Sequence, residues 1–178
     1  MKELLSSPEF VRSGIILIFT ALPILINCTN LGCEDPARVI RFPEPGTEGG
    51  MSVERAISSR RSEREYENGG LTLFELSQVL WAAQGITHPG GYRASPSAGA
   101  LYPLEVYIAV GNVESLGAGI YKYKPHGHEL LRMSEGDNRA ALSGAALGQG
   151  CVKNAPAVVI IVAVYERTTR KYGQRGVN

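Results

Sequence analysis

Residues 96–105 read Pro-Ser-Ala-Gly-Ala-Leu-Tyr-Pro-Leu-Glu, a proline-bracketed run of small residues that leads directly into a predicted strand. The two prolines restrict the backbone, and the small side chains between them leave backbone N–H groups open to a flat ligand. A tight connector into the strand is the alternative interpretation of these residues on their own. The segment therefore indicates where a ligand site and the sheet would meet.

Four apolar segments around this loop predict strands. Residues 105–110 alternate between apolar and other side chains, and residues 119–123 and 129–133 flank a Pro-His-Gly-His turn. Residues 157–164 are apolar and rich in β-branched side chains, which is typical of a strand buried on both faces. These segments predict a central sheet.

Three capping patterns predict helices between the strands. The segment 52–59 begins with a serine cap, and 72–83 begins with a capping box in which Glu75 follows the threonine cap by three residues. The segment 137–147 begins with an aspartate cap. This order of elements predicts the α+β class, with a central mixed or antiparallel sheet flanked by helices.

The first fifty residues differ in composition from the rest. Lys2 and Arg12 precede an apolar run at 14–26, which is shorter than the roughly 20 residues of a comfortable membrane span. We expect residues 1–30 to be a signal-peptide-like or membrane-anchoring leader, so the protein would be exported or membrane-anchored, with a cytoplasmic location as the alternative. Residues 31–50 are rich in proline and glycine and are predicted to be a linker, and the folded domain is expected over 51–178.

Charge and cysteine content argue against a nucleic-acid-binding function and against a zinc site. The formal net charge is +1, which argues against a dedicated nucleic-acid-binding protein, because such proteins usually show a basic excess. Three cysteines cannot form a disulfide framework, and their spacing fits no common zinc site, so no metal site is predicted.

Arg60, Ser62 and Arg64 alternate along the chain and would point to one side of an extended segment. Two guanidiniums and a hydroxyl on one side form a suitable receptor for a phosphate group. The alternative is a solvated charged loop that has acidic neighbours. The same ambiguity holds near the other end of the sequence, where Lys171 and Tyr172 are candidate proton-transfer groups or part of a frayed basic tail.

Together these segments resemble the nitroreductase superfamily, in particular the branch of SagB/thiazole-oxidase-type dehydrogenases. The resemblance extends from about residue 52 to residue 176. The matching strings, in order, are SVERAISSRRSEREY, LTLFELSQVLWAAQGI, RASPSAGALYPLEVYIAVGNVESLGAGIYKYKPHGHEL and ALGQGCVKNAPAVVIIVAVYERTTRKYGQRG.

The resemblance implies a nitroreductase-like, FMN-dependent fold and a homodimer whose two flavin sites lie at the subunit interface. One subunit would hold the FMN phosphate and ribityl chain, and the other would line the isoalloxazine ring with its proline-bracketed loop. The implied FMN-binding residues are Arg60, Ser62, Arg64, Pro96, Ser97, Ala98, Gly99 and Leu101. The Lys-Tyr pair that assists proton removal in azoline-oxidising members is matched by Lys171 and Tyr172.

The implied function is an oxidoreductase that transfers hydride to or from the flavin N5. Azoline-type dehydrogenation of a modified peptide is one such reaction, and reduction of a small acceptor with NAD(P)H is another. The family continues past the Lys-Tyr-Gly motif with a further helix and strand, so we expect the C-terminal part of the fold to be missing here. A truncated, non-catalytic homologue that acts as a binding or structural module is the alternative.

Overall fold

The computed structural model describes residues 15–19, 38–67 and 69–177, with 15–19 described as backbone only. Its strands form one six-stranded sheet. The strands are β1 (Ile15–Phe19), β2 (Val39–Arg41), β3 (Leu104–Val110), β4 (Gly119–Lys124), β5 (Glu129–Glu135) and β6 (Ala157–Ala163). They lie in the order β1-β6-β3-β4-β5-β2, in which all neighbours are antiparallel except β1 and β6. The predicted α+β class with a central mixed or antiparallel sheet is confirmed, and the sheet is mixed through the single parallel pair of β1 and β6.

Five α-helices accompany the sheet in the described ranges: α1 (Val53–Ser59), α2 (Leu73–Gln84), α3 (Arg139–Ala145), α4 (Gly150–Asn154) and α5 (Glu166–Tyr172). The predicted capping box of α2 is present. The Thr72 N–H donates to Glu75 Oε2 at 2.8 Å, and the Glu75 N–H donates to Thr72 Oγ1 at 3.1 Å. This reciprocal pair satisfies two backbone donors and fixes where the helix begins.

The sheet is buried on both faces at its centre. On one face, Val106 and Ile108 of β3 pack with Leu76 and Leu80 of α2. On the other face, the cluster is formed by Ala109, Val152, Ala155, Val158 and Ile160. Because side chains alternate along a strand, β6 contributes to both clusters, as its continuous apolar sequence predicts.

The helix predicted over 137–147 is shorter and displaced, so this prediction is wrong in its bounds. Asn138, not Asp137, occupies the cap position of α3, and the Asp137 carboxylate pairs with the Arg139 guanidinium at 2.7 Å. Leu147 and Gly148 have φ of +60° and +71°, which a right-handed helix cannot contain. The helix therefore ends before them, and the chain begins α4 at Gly150.

The sheet extends into the segment predicted to be a linker. β2 pairs with β5, with Val39 opposite Leu131, and Phe42 beyond it is buried in the core. The Gln78 side chain holds the following residues by bonding Gly46 twice, accepting from its N–H at 2.9 Å and donating to its carbonyl at 3.0 Å. The folded domain thus begins before residue 51, because the few apolar side chains of this proline-rich stretch complete the core at a sheet edge.

His128, in the turn between β4 and β5, connects the segment that follows β2 to the core. Its Nε2 lies 2.9 Å from Ser77 Oγ, and its Nδ1 lies 2.8 Å from Tyr123 Oη. Its ring centroid is 5.2 Å from that of Phe42. Burial lowers the pKa of His128 below its ordinary value, and the Glu44 carboxylate opposes that shift.

One part of the predicted leader lies in the sheet. Ile15–Phe19 pairs in parallel with β6, with Ile15 opposite Ala157 and Phe19 opposite Ile161. The rest of the predicted leader lies outside the described residues, so its role stays a prediction. None of the helices in the described ranges has the length and apolar character needed to cross a bilayer.

Candidate functional site

The proline-bracketed loop has an unusual backbone. Gly99, Ala100 and Tyr102 have φ of +63°, +54° and +44°. For residues with a side chain this left-handed conformation costs about 1–2 kcal/mol each, and it persists only where surrounding contacts impose it. Strain of this kind concentrates at functional sites, so the loop is the first candidate region.

Tyr102 is the residue through which the loop is held. Its N–H donates to Ser97 Oγ at 3.0 Å, its hydroxyl accepts from the Arg93 N–H at 3.2 Å, and its carbonyl accepts from Arg167 Nη1 at 2.9 Å. The Arg93 guanidinium also lies over its ring, 4.5 Å from the centroid. These contacts impose the positive φ of Tyr102 and connect the loop to α5.

Further bonds connect the ends of the loop to the core elements. Ser95 Oγ donates to the carbonyl of Ala83 in α2 at 2.7 Å. At the other end, the Val164 N–H, just after β6, donates to the Pro103 carbonyl at 2.8 Å. The loop is therefore fixed to α2, β6 and α5 together, and its shape is set within a single chain.

The tip of the loop offers bare backbone beside two reactive side chains. A Cβ built at Gly99 would lie 2.6 Å from Tyr172 Oη and 2.7 Å from Lys171 Nζ. The Ala100 N–H donates to the Ser97 carbonyl at 3.0 Å and closes the turn around Gly99. The site predicted from residues 96–101 and the pair predicted at 171–172 are thus brought together.

The Lys171–Tyr172 pair lies in the last turn of α5. Lys171 Nζ is 5.4 Å from the centroid of the Tyr172 ring, and Tyr172 is 38% exposed. Thr168, one turn earlier, lines a cavity of 190 Å³ together with Pro96, Ser97 and Ala98. Both polar tips therefore stand at an open edge of the loop, where a ligand can reach them.

Arg60, Ser62 and Arg64 follow α1 and are exposed. Arg60 Nη1 lies 3.5 Å from Ser62 Oγ, which fits the predicted placement of both on one side. Arg64 lines a separate cavity of 570 Å³ with Asn112 and Arg139, which shares no residue with the cavity at Pro96. One chain does not bring the arginine segment and the loop into one cavity.

The segment before these arginines has an apolar face that the single chain leaves open. α1 contains no buried residue, and Val53 and Ile57 are 70% and 71% exposed. Two exposed large aliphatic side chains therefore lie directly before the candidate ligand segment.

Sequence reasoning missed the ionic network that supports the loop. Glu105 Oε1 accepts from Arg167 Nη2, while Glu105 Oε2 pairs with Lys122 Nζ at 2.8 Å and accepts from the Tyr107 hydroxyl at 3.1 Å. Burial acts to raise the pKa of Glu105, but the bonds from Lys122 and Arg167 outweigh it and hold that pKa below its ordinary value. A charged residue within an apolar strand was the available signal, but its partners depend on strand register.

The chain matches the model of the nitroreductase family over residues 57–178. A nitroreductase-family protein of Methanocaldococcus jannaschii is 47% identical over 126 residues, which make up 71% of this chain and 64% of the relative. This chain therefore spans a little under two thirds of the length of that relative.

Solved structures agree with this match. A nitroreductase-family protein of Ralstonia eutropha has a TM-score of 0.66 and 32% identity over 83% of this chain and 65% of its own. One of Anabaena variabilis has a TM-score of 0.57 and 31% identity over 67% of this chain and 25% of its own. The Escherichia coli microcin synthetase McbBCD complex with truncated pro-MccB17 bound shares the fold, with a TM-score of 0.51 and 22% identity over 75% of this chain and 55% of that one. The family match, the sequence relative and the shared fold agree, and the chain belongs to the nitroreductase family.

Proposed function

We propose that this protein is an FMN-dependent oxidoreductase that works as a homodimer with two flavin sites at the subunit interface. The observation that carries the proposal is the tip of the loop, where the bare backbone of Gly99 lies beside Lys171 Nζ and Tyr172 Oη. A flat ring system needs such side-chain-free backbone for close approach, and a redox reaction at that ring needs a group that can handle a proton.

The arginine segment fits the phosphate end of FMN. A phosphomonoester carries about −1.5 to −2 charge at neutral pH, which Arg60 and Arg64 together nearly neutralise. Both guanidiniums are exposed, so phosphate oxygens can reach them for bidentate bonds, and Ser62 adds a hydroxyl beside Arg60. In the proposed dimer these residues of one subunit face the loop of the other.

The dimer explains why the two half-sites are separate in one chain. Members of the family are typically dimeric, and the open apolar face of Val53 and Ile57 precedes the arginine segment directly. Burying that face against a second subunit would fix the position of a segment that its own chain leaves unsupported.

FMN, when bound, would supply the redox centre that accepts or gives two electrons. The chain's own residues bind, orient and handle protons. Ser97 orients the loop by accepting from the Tyr102 N–H. Lys171 at Nζ and Tyr172 at Oη hold the proton that a substrate loses in dehydrogenation or gains in reduction.

Two substrate classes remain within this proposal. The name of the relatives favours a nitro compound or a similar small acceptor, reduced at the expense of NAD(P)H. The Lys-Tyr pair favours dehydrogenation of a peptide azoline, as its resemblance to azoline-oxidising members implies. Turnover of a nitroaromatic compound that requires NAD(P)H would select the first class, and oxygen-dependent oxidation of an azoline peptide would select the second.

The test of the cofactor is direct. The purified protein should show the visible absorbance of bound flavin and should release FMN, identified by chromatography, on denaturation. Protein stripped of flavin should regain the absorbance when FMN is added. A folded, colourless protein that FMN does not reconstitute would overturn the proposal and favour the non-catalytic binding module.

A further inference from the structure

A third cavity, of 190 Å³, shares a wall of Gln84 and Leu104 with the cavity at Pro96. Four cationic side chains, Arg93, Lys122, Lys124 and Arg167, line it, together with one acidic side chain, Glu105. Even with Lys124 set aside, the three other cations and the one acid leave an excess of two positive charges.

The acid in this cavity is already engaged. Glu105 bonds Arg167 through one oxygen and Lys122 through the other, so both of its oxygens are shared with cations. The Tyr107 hydroxyl donates to the second oxygen as a third partner. Glu105 therefore has little capacity left to compensate Arg93.

Arg93 has no carboxylate within ion-pair distance among the described residues. Its Nη1 donates to the neutral Gln84 amide at 3.0 Å, and its Nε is buried with no hydrogen-bond partner in that part of the chain. Burial lowers the pKa of Arg93 and repulsion from Arg167 adds to this effect, while the nearby Tyr102, Glu105 and Tyr123 oppose it only in part. A half-buried guanidinium in this state favours an incoming anion, because the anion would compensate charge that the protein leaves unpaired.

We propose that the cavity between Arg93, Lys122 and Arg167 is an anion site that binds the carboxylate or phosphate group of a small molecule. Both groups present oxygens that a guanidinium fork can meet. The site is separate from the Arg60–Arg64 segment, which lines a different cavity, and its existence does not depend on bound flavin. Because it shares the wall of Gln84 and Leu104 with the loop cavity, a ligand held here by its anionic end lies next to the candidate active site.

The first test is titration of the full chain with inorganic phosphate and, separately, with acetate, at low ionic strength and followed by calorimetry. Arg93→Gln should weaken binding by about tenfold or more, and Arg93→Lys should lie between it and the unmodified chain, because an ammonium keeps the charge but not the planar fork. Tighter binding of phosphate identifies a phosphate-bearing ligand, and tighter binding of acetate identifies a carboxylate. Arg132→Gln is the matched control, since Arg132 lies outside the cavity and pairs with Glu135, and it should bind as the unmodified chain does.

A variant with the opposite sign keeps the proposal falsifiable if Arg93→Gln fails to fold. Glu105→Gln removes the acid of the cavity and should strengthen anion binding, whereas a purely structural role for the cluster gives no gain. Circular dichroism verifies folding of each variant. Undetectable binding of both anions, equal binding by Arg93→Gln, or loss of binding only in an Arg60→Ala/Arg64→Ala variant would each overturn the proposal.

Discussion

The two regions predicted to meet at the flavin are built in different ways. The loop at 96–105 is strained, with positive φ at Ala100 and Tyr102, yet bonds to α2, β6 and α5 hold it in place. The segment from Val53 to Arg64 has no positive φ, and all of its residues are exposed. One half-site is preorganised by its own chain, and the other depends on what binds it. Preorganisation lowers the cost of binding, so the loop should define the ring site and the arginines should supply affinity.

Replacing both arginines should give the largest effect. In Arg60→Ala/Arg64→Ala we expect retention of FMN to fall by about a hundredfold or more, because each charge-assisted bond to a phosphate contributes about 1.5–3 kcal/mol. Flavin content after gel filtration and the FMN dissociation constant measure this. Arg61→Ala is the matched control, since Arg61 bonds the Ser58 and Arg60 carbonyls and should leave retention unchanged. Unchanged flavin content in the double variant would refute the assigned phosphate site.

The next comparison concerns what each region contributes to stability. Leu76→Ala in α2 should lower the free energy of unfolding by about 2–5 kcal/mol, because Leu76 is fully buried beneath the sheet. Ile57→Ala in α1 should change it by no more than about 0.5 kcal/mol in the monomer, since Ile57 is exposed. Urea unfolding at several protein concentrations measures both. A large loss for Ile57→Ala that does not depend on concentration would show that α1 is part of the monomer core.

Gly99→Ala tests the loop tip. The positive φ should lower stability by about 1 kcal/mol, and the new methyl group must displace Lys171 and Tyr172. Gly136→Ala is the control, because Gly136 has φ of +90° with nothing within 4 Å of its Cβ position. Thermal unfolding should report similar losses for both, but flavin binding or turnover should fall only for Gly99→Ala. Equal activity of the two variants would show that the close approach at Gly99 has no role.

The smallest expected effect concerns His128 and the pH dependence of the free energy of unfolding. Because burial lowers the pKa of His128 below 6.5, the folded state binds fewer protons than the unfolded state in this range. The stability that neutral His128 contributes is present above pH 6.5 and is lost as pH falls through the lowered pKa. In His128→Gln, urea unfolding from about pH 7.5 to about pH 5 should show a shallower decline. An unchanged slope would show that His128 titrates normally.

Local patterns in the sequence predict much of this fold. The capping box at Thr72 and the apolar run at 157–164 each specify an element through neighbouring residues, and both are confirmed. The loop at 96–101 and the Lys171–Tyr172 pair were predicted separately and lie together. Their proposed roles in flavin binding and proton transfer stay predictions.

What the sequence does not predict depends on pairing between distant segments. β2 lies in a proline-rich stretch and is a strand because the edge of β5 is open to it. Glu105, Lys122 and Arg167 lie in three separate elements, so their contact follows only from strand register and from the position of α5. The early end of α3 follows from backbone angles at Leu147 and Gly148 that no capping pattern indicates.

The parallel pairing of Ile15–Phe19 with β6 bears on how the protein is made. A segment hydrogen-bonded into a sheet cannot at the same time be threaded, extended, through a translocation channel. Residues 15–19 are made long before β6 leaves the ribosome, so for a time they have no strand to pair with. If they also serve as an export signal, the destination of each molecule depends on which step is faster. One step is capture of the nascent chain by the translocation channel, and the other is pairing of residues 15–19 with β6.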